Sequence, residues 1–436
     1  MAQGSVHIIH VIARLNTGGP ARHLLALADD LRRRGYGVRI VHGPEGPHES
    51  SLVPEFDRLG VSRVRLLTLG RSLSPLADLR ALLQLLRLLW REQPDVVHTH
   101  TSKAGAVGRL AALVYNACRP RRRRCAVLHT FHGHVFDGYF PPLVTRAVIA
   151  VERLLARAAD RLIVLSSQQR EAIVTTYRIA AAARVRVVPL SLDVGGLPRL
   201  PVCRQHDGRV VRAALGLPRA AVVVGYVGRL VEIKRVDRLL RAFAAARREV
   251  PELRLLVAGD GELREALTQQ ADALGCGEAT RFIGWWTRDL EPLYAAIDIA
   301  ALTSDNEGTP VSLIEAMAAG RPVIATDVGG VADLLPDPAA GVVVGRDDEA
   351  GFAAAMVRLA SSRERRYAMG AAAREQARRW LDRADASQLL CDAYDECLTS
   401  RDARGPMMAE GPSGAALVGP GPLGRPTDTC EPDRSR

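Results

Sequence analysis

Two glutamates, Glu307 and Glu315, stand in the run Ser304-Asp305-Asn306-Glu307-Gly308-Thr309-Pro310-Val311-Ser312-Leu313-Ile314-Glu315-Ala316-Met317-Ala318-Ala319-Gly320. A carboxylate accepts two hydrogen bonds at once, and the vicinal hydroxyls of a sugar or a ribose supply two donors. Glu307 falls before a helix and Glu315 inside it, so each can hold a different part of one ligand. Thr309 suits the N-cap, Pro310 the first helical position and Gly320 the C-terminal stop. The amides at the start of such a helix bind phosphate without a metal.

A second segment, Gly225-Tyr226-Val227-Gly228-Arg229-Leu230-Val231-Glu232-Ile233-Lys234, places two cations after a strand, where Arg229 and Lys234 can neutralise a diphosphate. Of 59 basic residues, only Lys103 and Lys234 are lysine. Arginine's planar fork cannot replace a compact ammonium everywhere, which makes each lysine informative. Lys103 follows Val97-His98-Thr99-His100-Thr101 at a strand mouth and is expected to meet a phosphate of acceptor or donor. Gly18 and Gly19, opening a helix, bring backbone amides close to phosphate or sugar. His98, His100, His129, His132 and His134 gather near two strand ends, without the acid or cysteine that would complete a familiar metal set. His132 is the one placed to bond a sugar hydroxyl or phosphate.

These residues need strands to carry them. Apolar runs alternate with helical patterns throughout, which predicts parallel sheets built from βα units. Strands are expected near 6–12, 37–42, 95–99, 125–130, 161–165 and 185–189, then near 221–227, 253–258, 280–283, 298–302, 322–325 and 342–344. Helical pattern fills 348–398. The Gly- and Pro-containing stretch 191–210 reads as a linker between a first domain, 1–190, and a second, 211–380. A helix is expected at 381–400, and 401–436 reads as a disordered tail.

The chain has 436 residues, enough for two α/β domains, with 47% hydrophobic and 25% charged residues, as in a soluble globular protein. No apolar run reaches bilayer length, and Met1 to Ile12 reads as a first strand, so a cytoplasmic protein is expected. Seven scattered cysteines suggest neither disulfides nor zinc. The formal charge of +11 and clusters such as Arg119 to Arg124 could draw anionic lipid, phosphorylated substrate or nucleic acid. The charge is distributed and no nucleic-acid-binding motif accompanies it, so nucleic acid is not an expected partner. The apolar, Arg-flanked helix from Leu76 to Arg91 could touch an anionic membrane or simply pack as an amphipathic helix.

Taken in order, the Gly18-Gly19 turn, Thr130-Phe131-His132-Gly133, Gly228-Arg229 with Lys234, and Glu307 with Glu315 resemble the glycosyltransferase group 1 enzymes of GT-B fold, across about residues 5–398. The resemblance implies two tandem Rossmann-like, doubly wound domains around a cleft, with nucleotide-sugar on the second and acceptor on the first. It implies transfer with retention to a glycan, lipid-linked or small-molecule acceptor, without cofactor or metal; UDP is the commonest carrier in the family. By position, Arg229 and Lys234 resemble diphosphate ligands, Glu315 a ribose ligand and Glu307 a contact to the donor sugar. Gly308, Thr309, Pro310 and Val311 then line phosphate and sugar, His132 lies near the sugar and Ile283 near the base. The final helices are expected to return to the first domain. Many members carry Glu-Gly-Phe-Gly where this chain has Glu307-Gly308-Thr309-Pro310, which removes an amide at Pro310. A nucleotide-sugar 2-epimerase shares the architecture and needs no acceptor; an inactive sugar-nucleotide-binding relative is a further alternative.

Overall fold

The computed structural model describes residues 5–47, 49–70, 74–133, 136, 141–200, 208–287, 289–382 and 385–402. Seven strands form the first sheet: β1 (His7–Ile12), β2 (Gly37–His42), β3 (Ser62–Arg65), β4 (Val96–His100), β5 (Ala126–Phe131), β6 (Arg161–Val164) and β7 (Val185–Val187). Six form the second: β8 (Val222–Val227), β9 (Leu253–Ala258), β10 (Thr280–Gly284), β11 (Ile299–Leu302), β12 (Val323–Thr326) and β13 (Gly341–Val344). All pairings between these strands are parallel. β4, β5, β11 and β12 are buried along their whole length, because helices cover both sheet faces.

The sheet orders are β3-β2-β1-β4-β5-β6-β7 and β10-β9-β8-β11-β12-β13. Each reverses direction once, between β1 and β4 and between β8 and β11, and a crevice opens at such a switch point beyond the carboxyl ends of the strands. Gly18, Lys103, Lys234 and Glu307 all lie in the segments that follow these four strands.

β3 was not expected. Its sequence Ser-Arg-Val-Arg holds one apolar residue, and it survives as a half-exposed edge, with Arg63 clamped on both carboxylate oxygens of Asp57. Helix Gly19–Arg33 begins with Pro20 in its first turn and gives way at Gly35, whose φ is +89°.

Helix Arg363–Asp382 packs Ala373, Ala377 and Trp380 into the second domain's core. Helix Ala386–Asp402 crosses back and buries Leu390, Cys391, Ala393, Tyr394 and Cys397 among Ile8, Leu24, Leu27 and Leu128 of the first. Inside that interface the Tyr394 hydroxyl lies 2.7 Å from His98 Nδ1, which satisfies two buried polar groups at once. Within the linker 191–210, residues 191–200 hold a short turn at Leu197–Arg199, and 201–207 lie outside the described residues. Of the expected tail, Arg401 and Asp402 end the last helix, and 403–436 lie outside the described residues. Cys118, Cys276 and Cys391 are free thiols.

Candidate active site

On the second domain the loops after β8 and β11 are tied together. Asp305 N donates to Ile233 O at 2.9 Å, and the Thr303 hydroxyl to Arg235 O at 2.9 Å. This holds the turn Glu232–Lys234 against the glutamate loop, so that Lys234 Nζ reaches Glu307 Oε1 at 2.6 Å. The Ser304 hydroxyl donates to the same oxygen, also at 2.6 Å. Behind them, Gly330 N donates to Gly308 O at 2.9 Å, and a Cβ on Gly329 (φ +50°) would fall 1.8 Å from Glu307 O. No other residue fits there without moving the glutamate.

Helix Val311–Ala318 follows. The expected N-cap, Thr309, is corrected by one position: Pro310 O accepts from Leu313 N at 3.1 Å and Ile314 N at 3.2 Å, so Pro310 is the cap and not the first helical residue. The far end matches its expectation, with Gly320 at φ +70° and Arg321 N bonded to Ala316 O.

Glu315 is 1% exposed. Burial pushes its carboxyl above the ordinary range, opposed first by the charge of Arg22 and then by hydrogen bonds from Tyr294 and Arg22. Tyr294 OH donates to Oε2 at 2.8 Å, while the Arg22 guanidinium reaches Oε1 from the opposite domain. Both oxygens are therefore engaged. Neither Arg22 nor Tyr294 was singled out from sequence; Arg22 lies 293 residues from Glu315, and only folding joins them.

The first domain meets this surface closely. A Cβ on Gly19 would lie 3.2 Å from Val311 Cγ2, and one on Gly308 would lie 2.2 Å from His132 O. Gly18 N is turned onto Asn16 Oδ1 at 3.3 Å. Lys103, in contrast, lies in an ion pair, with Nζ 2.6 Å from Asp78 Oδ1 and the side chain 12% exposed. A phosphate there would have to compete with Asp78.

Two cavities adjoin the cleft. One of about 460 Å³ is lined by Asp305, Glu307, Asp327, Gly329 and Arg346 facing Gln168 and Gln169. The other, about 520 Å³, is lined by Arg229, Asp260, Gly261 and Trp285 facing Arg14 and Glu49. Arg229 and Glu307 thus line different cavities. Ile283 is half-buried against the second domain's core, and Trp285, two residues on, lines the second cavity.

The histidine cluster differs in membership from the expected one, since His129 pairs with the Thr99 hydroxyl at 2.9 Å and packs on Phe131 instead. His98, His100 and His132 are joined by His10 from β1 and His23 from the Gly19 helix; His134 lies outside the described residues. Ring nitrogens of His10, His98 and His100 fall within 4.8 Å of one another, close enough to raise the question of a metal. They already serve as hydrogen-bond partners: His98 to Tyr394 and Thr130, and His10 to His100.

The Arg22–Glu315 pair crosses the cleft and should hold it shut. Arg22→Met is expected to enlarge the ligand-free protein's radius of gyration in small-angle X-ray scattering; a value equal to wild type would contradict a closing role.

Two parallel, Rossmann-like sheets with facing switch points define the GT-B fold. The chain belongs to the glycosyltransferase group 1 family. A sequence model described as "Glycosyl transferases group 1" matches residues 221–362, and one described as "Glycosyl transferase 4-like domain" matches 18–191. The chain is 34% identical over 323 residues to the D-inositol 3-phosphate glycosyltransferase of Saccharomonospora viridis, covering 70% of this chain and 71% of that one. It is 28% identical over 296 residues to the Escherichia coli UDP-Gal:alpha-D-GlcNAc-diphosphoundecaprenol alpha-1,3-galactosyltransferase, covering 67% and 73%. Among solved structures, Anabaena HepE with UDP and glucose superposes with a TM-score of 0.74 at 20% identity, over 90% of this chain and all of that one. Sucrose-phosphate synthase from Thermosynechococcus elongatus gives 0.73 at 20% identity, over 91% and 100%.

Proposed function

We propose that this glycosyltransferase moves a sugar from a UDP-linked donor to a lipid-linked acceptor, with retention of anomeric configuration and without a metal. The observation that carries the reading is the Lys234–Glu307–Ser304 cluster beside the helix that holds Glu315. Glu315 takes the ribose hydroxyls, exchanging them for Arg22, and Glu307 holds the donor sugar. As the bond to the diphosphate breaks, negative charge grows on the leaving oxygen and positive charge on the anomeric carbon. Lys234, Arg229 and the amides at the start of helix Val311–Ala318 meet the first charge, and the Glu307 carboxylate lies on the side of the second. Gly18 and Gly19 carry the first domain's backbone against the donor, and His132 contributes from the end of β5.

A lipid-linked acceptor is supported by one face of the first domain. Helix Pro75–Glu92 buries Ala81, Leu85 and Leu89 but exposes Leu76, Leu79, Leu83 and Trp90 among Arg80, Arg87 and Arg91. Helix Pro142–Arg157 exposes Leu143, Val144, Val151 and Leu154 among Arg146, Arg153 and Arg157. Exposed apolar side chains ringed by arginine suit the headgroup region of an anionic bilayer, which supports a reaction at a membrane face. No helix among the described residues is long and apolar enough to cross a membrane. The S. viridis relative's name supports a second reading, inositol phosphate as acceptor.

Transfer from UDP-sugars in EDTA, with products read by mass spectrometry, tests this. Product is expected with polyprenyl-diphosphate-linked sugar and more of it in anionic than in zwitterionic vesicles. Product only with inositol phosphate selects the second reading, and dependence on an added divalent ion contradicts the site chemistry.

A further inference from the structure

Three imidazoles form an unbranched chain of hydrogen bonds from the sheet to the cleft. His10 Nδ1 lies 3.0 Å from His100 Nε2, and His100 Nδ1 lies 2.9 Å from His132 Nε2. The outer nitrogens, His10 Nε2 and His132 Nδ1, are buried and have no hydrogen-bond partner among the described residues. His10 and His100 are fully buried, on β1 and β4, and His132 stands where β5 ends against Gly308. Stacked beside the chain, His98 gives its two nitrogens to Tyr394 and Thr130, so it closes no branch of it. The edge of the His23 ring faces His132.

Neutral imidazole carries one N–H, and each bond in the chain needs one donor and one acceptor. The three tautomers are therefore locked together, and only two arrangements exist. In one, protons sit on every Nε2, which leaves a buried N–H at His10 with nothing to accept it and a bare lone pair at His132 Nδ1. In the other, protons sit on every Nδ1: His10 donates to His100, His100 donates to His132, and His132 Nδ1–H is left as a donor at the cleft. Each arrangement strands one N–H, but His10 is sealed on β1 at 0% exposure, whereas half-buried His132 borders the cleft, where an entering acceptor can take its N–H, so the second arrangement wins. Burial keeps the rings neutral, pushing His10 down to about 3 and His100 and His132 well below the usual histidine range.

We propose that His10 and His100 are positioning residues that fix His132 as the Nδ1–H tautomer, so that at the cleft it donates a hydrogen bond and does not act as a base. Given the glycosyl-transfer reading, that donor serves an oxygen of the donor sugar or of the departing phosphate; the locked tautomer itself does not depend on that reading.

Long-range ¹H–¹⁵N correlation spectra of ¹⁵N-histidine-labelled protein test it, with His132→Gln supplying the assignment. Wild type is expected to show His132 protonated at Nδ1. His100→Leu releases it to the Nε2–H form common in water, while His100→Gln, which keeps a donor facing His132 Nε2, holds the Nδ1–H form. In transfer assays, His100→Leu should lose on the order of 10²-fold in kcat, as for loss of one oriented donor, with the donor KM within about twofold and with rescue by His100→Gln. Should the leucine variant fail to fold, the wild-type spectrum still decides: His132 protonated at Nε2 overturns the proposal. A locked Nδ1–H tautomer with equal turnover in all variants upholds the relay and removes His132 from the reaction.

Discussion

Lys234→Ala should abolish sugar transfer while leaving a folded protein. The ammonium bonds Glu307 at 2.6 Å and sits on a loop, not in a core, so its loss opens no apolar cavity. What disappears is the charge that faces both the glutamate and, in the proposed reaction, the leaving diphosphate. A loss of at least about 10³ in kcat is expected, since removal of a single oriented donor already reaches that size and here a full charge goes with it. Lys234→Arg should rescue poorly. Glu307 Oε1 receives both the ammonium and the Ser304 hydroxyl, a crowded point that suits a compact charge better than a planar fork. Turnover and thermal melting of the three proteins decide this, and near-wild-type turnover in Lys234→Ala would contradict the assignment.

Acid should unfold the first domain well before its carboxylates titrate. His10, His23, His98, His100 and His129 are each no more than 3% exposed. Burial pushes His10 down to about 3 and His23 down to about 4, and the other three well below the usual value. In the unfolded chain all five return to about 6.5. Below that pH the unfolded state binds more protons than the folded one, so their contribution is complete above 6.5 and is lost as pH falls toward 3 to 4. Each pH unit in this window costs about 1.4 kcal/mol per histidine. Glu315, raised by burial, has the opposite sign above its unfolded value, but it is one group against five. With a total stability of about 5–15 kcal/mol, unfolding near pH 5 is expected. A melting temperature that stays flat from pH 7.5 to 5 would contradict neutral burial of the cluster.

Much of the architecture was legible because buried parallel strands are continuous apolar runs bounded by glycine and proline. The strands at 37–42 and 253–258 lie where the pattern put them. β3 escaped because an edge strand needs no such run. Within the site, local spacing exposed Glu307, Lys234 and the stop at Gly320, all near one another in sequence or carrying an unusual residue type. Pairings across the cleft were not legible. Arg22 is one arginine among many until the helix after β1 is set against helix Val311–Ala318, and His10 is one apolar-strand histidine until β1 is placed beside β4. Lys103 shows the converse. Its rarity drew notice, but Asp78 supplies a partner that spacing could not reveal.

In the proposed reaction, a Lys234-neutralised leaving group and a Glu307-held sugar are enough for transfer on the face the donor already occupies. The most direct measurement is the anomeric proton of the product, followed by NMR during reaction of an α-linked UDP-sugar in EDTA. An α-linked product, formed by wild type and absent with Lys234→Ala, is predicted; a β-linked product, or epimerised UDP-sugar with no acceptor consumed, would contradict it.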